Sequence, residues 1–323
     1  MSITLHNEIL RILTNAKHIA LVSHIKPDGD ALGSVLALAH YLEAKQIPAT
    51  LYNHDAVGDN FNFLPKAHLV GSHAQLWERA DLDVIVLLDC SSLGHSGVAE
   101  QIKQQRTRTT IINIDHHASN DYYGHINYVS SRASSTCELV FQLLSTAKYF
   151  NKIIAQCLLT GLITDTGGFS NLATTPQSIK IAGQLLNYGI NLPALSKTVL
   201  QKRSFNTLKL WGRALERLYE DPKTHFITTV ITLADTQELN VTDEAISGIA
   251  NFLNSLEDAS NKAVLVLSQT KVNVIKGSLR TTSPLLDVTT FAKLYGGGGH
   301  KKAAGFTLTG TLTYTNHDYT ITH

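Results

Sequence analysis

DVIVLLD at residues 83–89 and TIINID at residues 110–115 decide the fold. Each is a nearly unbroken apolar run that closes on an aspartate, Asp89 and Asp115. A strand with one wet face alternates apolar and polar residues, whereas a continuous run suits a strand covered on both faces, the habit of parallel sheets. HIALVS (18–23) and ATLYN (49–53) add strands of the same kind, with a helical ALGSVLALAHYLEAKQ (31–46) between them. Helical periodicity returns at 134–147, 151–164 and 176–188. Strands alternating with helices predict an α/β domain, a parallel sheet with helices on both faces. In such sheets ligands gather beyond the carboxyl ends of the strands. Ser23, His24, Asp89 and Asp115 fall at those ends.

Near residue 190 the texture changes. NYGINLPALS (187–196), with Gly189 and Pro193, reads as a connector. A helical TLKLWGRALERLYE (207–220) precedes strand-like runs at 225–232, 262–270 and 271–280, with helices expected at 243–255 and 287–295. The expected organisation is a first domain over 1–190, a linker over 191–214 and a smaller α+β domain over 215–323.

A chain of 323 residues accommodates two such domains. Its net charge of +1 offers no broad basic surface for a long nucleic acid, which favours a small ligand. Cys90, Cys137 and Cys157 lie far apart without metal-finger or redox spacing, and read as core residues in a reducing compartment. The N-terminal MSITLHNEILRILTNAK reads as an amphipathic helix rather than a signal peptide, and no apolar run approaches the ~20 residues of a membrane span. The expectation is a soluble, cytoplasmic protein with no membrane partner.

Four segments carry chemistry. In SHIKPDGDALGS (23–34), His24, Asp28 and Asp30 share a tight turn. They suit Mn²⁺, Mg²⁺ or Fe²⁺, while a helix N-cap explains an aspartate there equally well. Asp89 reads as a turn residue by itself and gains weight from lying at the same sheet edge. In IDHHAS (114–119), one histidine could bind metal, the other could face substrate, and Asp115 could orient an imidazole. In LLTGLITDTGGF (158–169), Asp165 ends a helix, where the helix dipole disfavours a carboxylate unless a cation is near. So many carboxylates at one edge repel unless positive charge sits among them. Two metal ions about 3.5–4 Å apart relieve that repulsion and make a hydrolytic centre. Further on, YGGGGHKKAAGF (295–306) offers bare backbone for an anion, with His300 and Lys301 or Lys302 beside it, and Arg280 can grip a phosphate.

These segments resemble, in order, the motifs of the DHH phosphoesterase superfamily: SHIKPDGDALGS, VIVLLD, DHH and ITDTGGF, with GGGGHKKAAG similar to the signature of its associated C-terminal domain. The resemblance implies that His24, Asp28, Asp30, Asp89, His116 and Asp165 ligate two Mn²⁺ ions, with Asp89 bridging. It implies that His117 lies near the scissile phosphate and that Asp115 supports it. Arg280, Gly297, Gly298, Gly299 and His300 would hold the substrate's nucleotide or terminal phosphate, with Arg132 and Ser135 from SSRASST (130–136) facing substrate beside the metals. The active site would lie in the cleft between the domains. The short two-domain branch it resembles hydrolyses oligoribonucleotides of a few residues and 3′-phosphoadenosine 5′-phosphate (pAp), and implies a homodimer. One departure is Thr281, where many relatives carry serine after the arginine.

Other readings remain. Relatives of this size hydrolyse linear or cyclic dinucleotides such as pApA and c-di-AMP, and sequence hardly separates them. A RecJ-like exonuclease needs a longer grip on single strands than about 100 residues and a neutral charge allow. The glycine–histidine motif argues against an inorganic pyrophosphatase or polyphosphatase. A non-catalytic nucleotide-binding module would have shed metal ligands, and all six are present.

Overall fold

The computed structural model describes residues 3–200, 204–241, 243–246, 248–254, 256, 259, 261–315 and 318–322. The chain forms two compact units, Met1–Lys202 and Arg203–His323.

The first unit holds α1 (Ile3–Asn15), β1 (His18–Ser23), α2 (Gly29–Ala44), β2 (Ala49–Tyr52), β3 (Leu82–Leu88), α3 (Ala99–Gln105), β4 (Thr110–Asp115), β5 (Ile126–Val129), α4 (Thr136–Thr146), α5 (Lys152–Asp165), α6 (Pro176–Leu186) and α7 (Leu192–Leu200). The strands form a sheet in the order β2-β1-β3-β4-β5, every neighbouring pair parallel. Both faces are covered, as the apolar runs required. Ile19, Leu21, Val86 and Ile112 pack with Leu36 of α2 and Leu158 of α5. The alternate residues Ala20, Val22, Ile85 and Ile111 pack with Ile102 of α3. β5 was not expected; its four residues INYV are too few for periodicity to register.

The second unit holds α8 (Phe205–Glu216), β6 (Tyr219–Glu220), β7 (Ile227–Ile231), α9 (Leu233–Glu238), α10 (Asp243–Ile246), α11 (Ile249–Leu253), β8 (Ala263–Lys271), β9 (Val274–Thr281), α12 (Val288–Leu294), β10 (Gly298–His300), β11 (Ala303–Leu308), β12 (Thr311–Thr315) and β13 (Asp318–Thr322). A mixed sheet runs β10-β11-β9-β8-β7-β6. The residues expected as a linker, 191–214, are largely helical, with 201–203 outside the described residues. Leu195 of α7 is buried in the core of the first unit, and Leu210, Trp211 and Ala214 of α8 in that of the second. Pro193 lies in the first turn of α7, where a missing N–H costs nothing, and the Asn191 side chain accepts the N–H of Ala194 at 3.0 Å. Residue 255, the end of the helix expected over 243–255, also lies outside the described residues.

α2 and α5 approach through glycines. A Cβ on Gly33 would collide with the Cys157 carbonyl oxygen, and one on Gly161 with Cys137 Sγ and Asp30 Oδ1. Gly183 of α6 is exposed with nothing within 4 Å of such an atom. Gly161→Ala should therefore lower the unfolding free energy by about 1–3 kcal/mol, whereas Gly183→Ala should raise it by roughly 0.5–1 kcal/mol. Denaturant midpoints of the two variants, shifting in opposite directions, check this.

Candidate metal centre

The strand order places β1 and β3 side by side while β2 continues on the far side of β1, which opens a crevice at their carboxyl ends. His24 follows β1, Asp89 follows β3, and His116 follows β4. Asp28 caps α2, its Oδ1 accepting the N–H groups of Asp30 and Ala31 at 3.0 Å each. The cap and the cluster are thus one arrangement: capping points the turn that carries His24 and Asp28.

His24 is held closely. Asn53 Nδ2 donates to its carbonyl at 2.7 Å. Its Nδ1 lies 2.7 Å from the Ile25 carbonyl, which can only accept, so Nδ1 carries a hydrogen and, in the neutral ring, the lone pair falls on Nε2. That Nε2 faces Asp28 Oδ1 at 3.8 Å and Asp89 Oδ2 at 3.5 Å. Asp89 sits at φ 61°, a left-handed conformation that costs a non-glycine residue free energy and recurs at functional sites. Its Oδ1 accepts from Thr136 Oγ1 at 3.0 Å. On the other side, His116 Nε2 stands 3.2 Å from Asp165 Oδ2, 3.6 Å from Asp89 Oδ1 and 3.9 Å from Asp30 Oδ2. Asp30 is fully buried, and its two oxygens accept the N–H groups of Thr136 at 2.6 Å and Cys137 at 2.9 Å at the start of α4.

The electrostatics are those of a site built for positive charge. Burial first, then the charges of Asp89 and Asp28, push Asp30 well above the usual carboxylate range. Burial and the charges of Asp30 and Asp89 do the same to Asp165. Burial opposes a charge on His24, yet Asp28 and Asp89 raise it to about 11. Among the described residues, atoms within 4.8 Å of one another are offered by His24–Asp28–Asp89, by Asp30–His116–Asp165 and by Asp89–His116–His117. Each of these groups could hold a metal ion, and their carboxylate and imidazole donors suit a divalent cation.

His117 stands at the edge of this set, its Nδ1 3.6 Å from Asp89 Oδ1. Its Nδ1 bonds Asp115 Oδ1 at 2.8 Å, and that bond lifts it to about 9. The other Asp115 oxygen accepts from Asn120 Nδ2 at 2.6 Å, and Asn120 Oδ1 in turn accepts from Asn113 Nδ2 at 2.9 Å. Asn53, Asn113 and Asn120 have no mark in the sequence, because amides reveal their role only once the fold supplies their partners.

The remaining expected residues divide. Ser135 is fully buried and caps α4, its hydroxyl accepting the Glu138 N–H at 3.1 Å. The S/T-x-x-E spacing of a capping sequence, Ser135 to Glu138, was the signal to read. Arg132 is exposed, with no partner among the described residues. In the second unit, β9 alternates, with Ile275, Leu279 and Thr281 buried and Lys276, Ser278 and Arg280 on the opposite face. Thr281 therefore faces inward, its hydroxyl donating to the Lys262 carbonyl at 2.9 Å. His300 and Arg280 both pair with Ala303, and Gly298 and Ser278 both pair with Gly305. Residues sharing a rung project from one face, so Arg280, His300, Ser278 and Gly298 lie together there. Packing requires two of the glycines, since a Cβ on Gly297 would strike the Gly305 carbonyl and Gly299 holds φ 140°. Gly298 has open space beside it and leaves its backbone approachable. Arg280 Nε donates to Asn251 Oδ1 at 2.8 Å, beside a hollow of about 240 Å³ that Ser268, Lys276 and Ser278 also line. Lys302 is committed to the carbonyls of Ser283 and Leu286, whereas Lys301 is exposed and its ammonium has no hydrogen bond or ion pair among the described residues.

Acidic and imidazole groups that could hold divalent cations converge at the carboxyl edge of a parallel sheet, in a chain with a second α+β domain, and its family makes the chain a phosphoesterase. The chain belongs to the DHH family: residues 18–162 match the DHH family N-terminal domain and residues 223–315 the DHHA1 domain. The bifunctional oligoribonuclease and PAP phosphatase NrnA of Thermus thermophilus is 28% identical over 304 residues, 94% of this chain and 87% of the relative. The protein of the same name from Bacillus subtilis is 25% identical over 92% of this chain and 91% of its own. The crystal structure of an exopolyphosphatase-related protein from Bacteroides fragilis matches with a TM-score of 0.87 at 26% identity, covering 96% of this chain and 92% of that one. No helix among the described residues is long and apolar enough to cross a membrane.

Asn120→Ala leaves a buried carboxylate oxygen of Asp115 unpaired and should cost about 1–3 kcal/mol of stability. Asn120→Asp should cost more, because it sets a second carboxylate against Asp115. Denaturant unfolding of both variants checks the order.

Proposed function

We propose that the protein hydrolyses phosphate esters of very short oligoribonucleotides and of pAp, using two divalent cations. The observation that carries this reading is Asp89, which stands 3.5 Å from His24 and 3.6 Å from His116 and so belongs to both sides of the cluster. His24 and Asp28 would hold one ion and Asp30, His116 and Asp165 the other, with Asp89 within reach of both. Mn²⁺ suits the mixed nitrogen and oxygen donors, and Mg²⁺ or Fe²⁺ would enter the same set. A cation pair supplies Lewis-acid polarisation of the phosphoryl group and neutralises charge that grows in the transition state.

The chain's own groups do the rest. Asp115 holds Nδ1 of His117, which turns Nε2 outward, toward where a phosphoryl oxygen would lie. Arg132, exposed and unpaired among the described residues, contacts a substrate phosphate. In the second domain, Arg280, His300 and the backbone of Gly297, Gly298 and Gly299 hold the nucleotide portion. The choice of substrate follows the names of the full-length relatives, and the net charge of +1 supports it by offering no track for a long strand.

A substrate panel in Mn²⁺ tests the reading: pAp, a five-residue RNA, pApA, c-di-AMP, long single-stranded DNA and pyrophosphate. Turnover fastest on pAp and the short RNA, and abolished by EDTA, is the expected result. Preference for pyrophosphate or c-di-AMP would overturn the substrate assignment, and turnover that survives EDTA would overturn the cations. His300→Ala should raise KM more than it lowers kcat, because it binds substrate at a distance from the reacting bond; steady-state kinetics on pAp settles that.

A further inference from the structure

His24 has a further neighbour that neither the motifs nor the proposed mechanism uses. His95 lies in the turn Gly94–Ser96 beyond β3, and its ring stacks on that of His24, centroids 4.9 Å apart and planes 8° from parallel. The two loops are tied along the main chain, the Ile25 N–H donating to the His95 carbonyl at 2.9 Å. Gly97, at φ 72°, closes the turn so tightly that a Cβ there would strike Ile25 and His54. The Nδ1 of His95 is buried with no hydrogen-bond partner among the described residues. This nitrogen therefore does nothing to hold the ring, and its face against His24 is the specific contact it makes.

The existing restraints on His24 leave a gap that this contact fills. Asn53 fixes the main chain and the Ile25 carbonyl fixes the direction of Nδ1. A ring held by one hydrogen bond can still swing about it. A flat neighbour lying parallel blocks that swing, and aromatic pairs favour an offset stack of this kind.

We propose that His95 is a positioning residue for the cation site of His24, Asp28 and Asp89: its ring fixes the plane of His24 and keeps Nε2 aimed at the two carboxylates. The proposal deepens the two-cation reading and rests on it. What matters is the flat face, so a phenyl ring replaces the imidazole and an aliphatic side chain of similar bulk does not.

Calorimetric titration of EDTA-stripped protein with Mn²⁺ tests this, on wild type, His95→Phe, His95→Leu and His95→Ala. Wild type and His95→Phe should bind two ions with like affinities. His95→Leu and His95→Ala should weaken one of the two by about tenfold, the low end for removing a group that orients a metal ligand. Identical titrations of wild type and His95→Ala would overturn the proposal, as would His95→Phe binding as weakly as His95→Leu. Wild type that binds no Mn²⁺ would remove the two-cation reading and this proposal with it. Thermal melting in EDTA checks folding; should His95→Ala melt early, the Phe and Leu variants decide, since both fill the space.

Discussion

Asp30, Asp89 and Asp165 set three carboxylates close together and largely out of water, where like charges repel far more strongly than at a surface. The rest of the first domain can be read as the means of holding that unfavourable arrangement. The start of α4 gives two N–H groups to Asp30, where the positive end of the helix also favours a carboxylate. Thr136 gives a hydroxyl to Asp89, and the strained backbone of Asp89 aims it across the crevice. The glycine contact between α2 and α5 brings Asp30 and Asp165 to one place. Even so, Asp30 and Asp165 remain far above the ordinary carboxylate range. The protein alone does not relieve their repulsion; a cation among them would.

The same constraint explains which parts were legible in the sequence. Strand-closing Asp89 and Asp115 and the helix-ending Asp165 announce themselves because each sits where local rules disfavour or single out a carboxylate. The apolar runs of β1, β3 and β4 gave the parallel sheet for the same local reason. The residues that orient the cluster did not show. Asn53, His95, Asn113 and Asn120 act through partners that only the fold brings near, 29 residues away for Asn53 and His24. The capping spacing from Ser135 to Glu138 passed unread beside the resemblance that set Ser135 against substrate. The helix at 192–200 was hidden by Gly189 and Pro193, which mark the turn before α7 and its first turn, whereas the helix expected over 207–220 is α8 at 205–216.

In the second domain, pairing register does what spacing along the chain cannot. Arg280 and His300 are twenty residues apart, yet both flank Ala303 on one rung, with the bare backbone of Gly298 and Gly305 two residues along. The glycine run is therefore not uniformly a ligand loop. Three of its members, Gly296, Gly297 and Gly299, serve packing and backbone geometry, and Gly298 leaves space for something else. A polar, glycine-lined sheet face carrying one arginine and one histidine suits a small phosphorylated ligand better than a long strand.

All of this turns on six Asp and His groups caging a pair of cations. Anomalous diffraction from a crystal soaked in Mn²⁺ tests it most directly. Two peaks about 3.5–4 Å apart, with Asp89 reaching both, are the expected result. No peak among these side chains, or a lone ion without Asp89 as ligand, would contradict it.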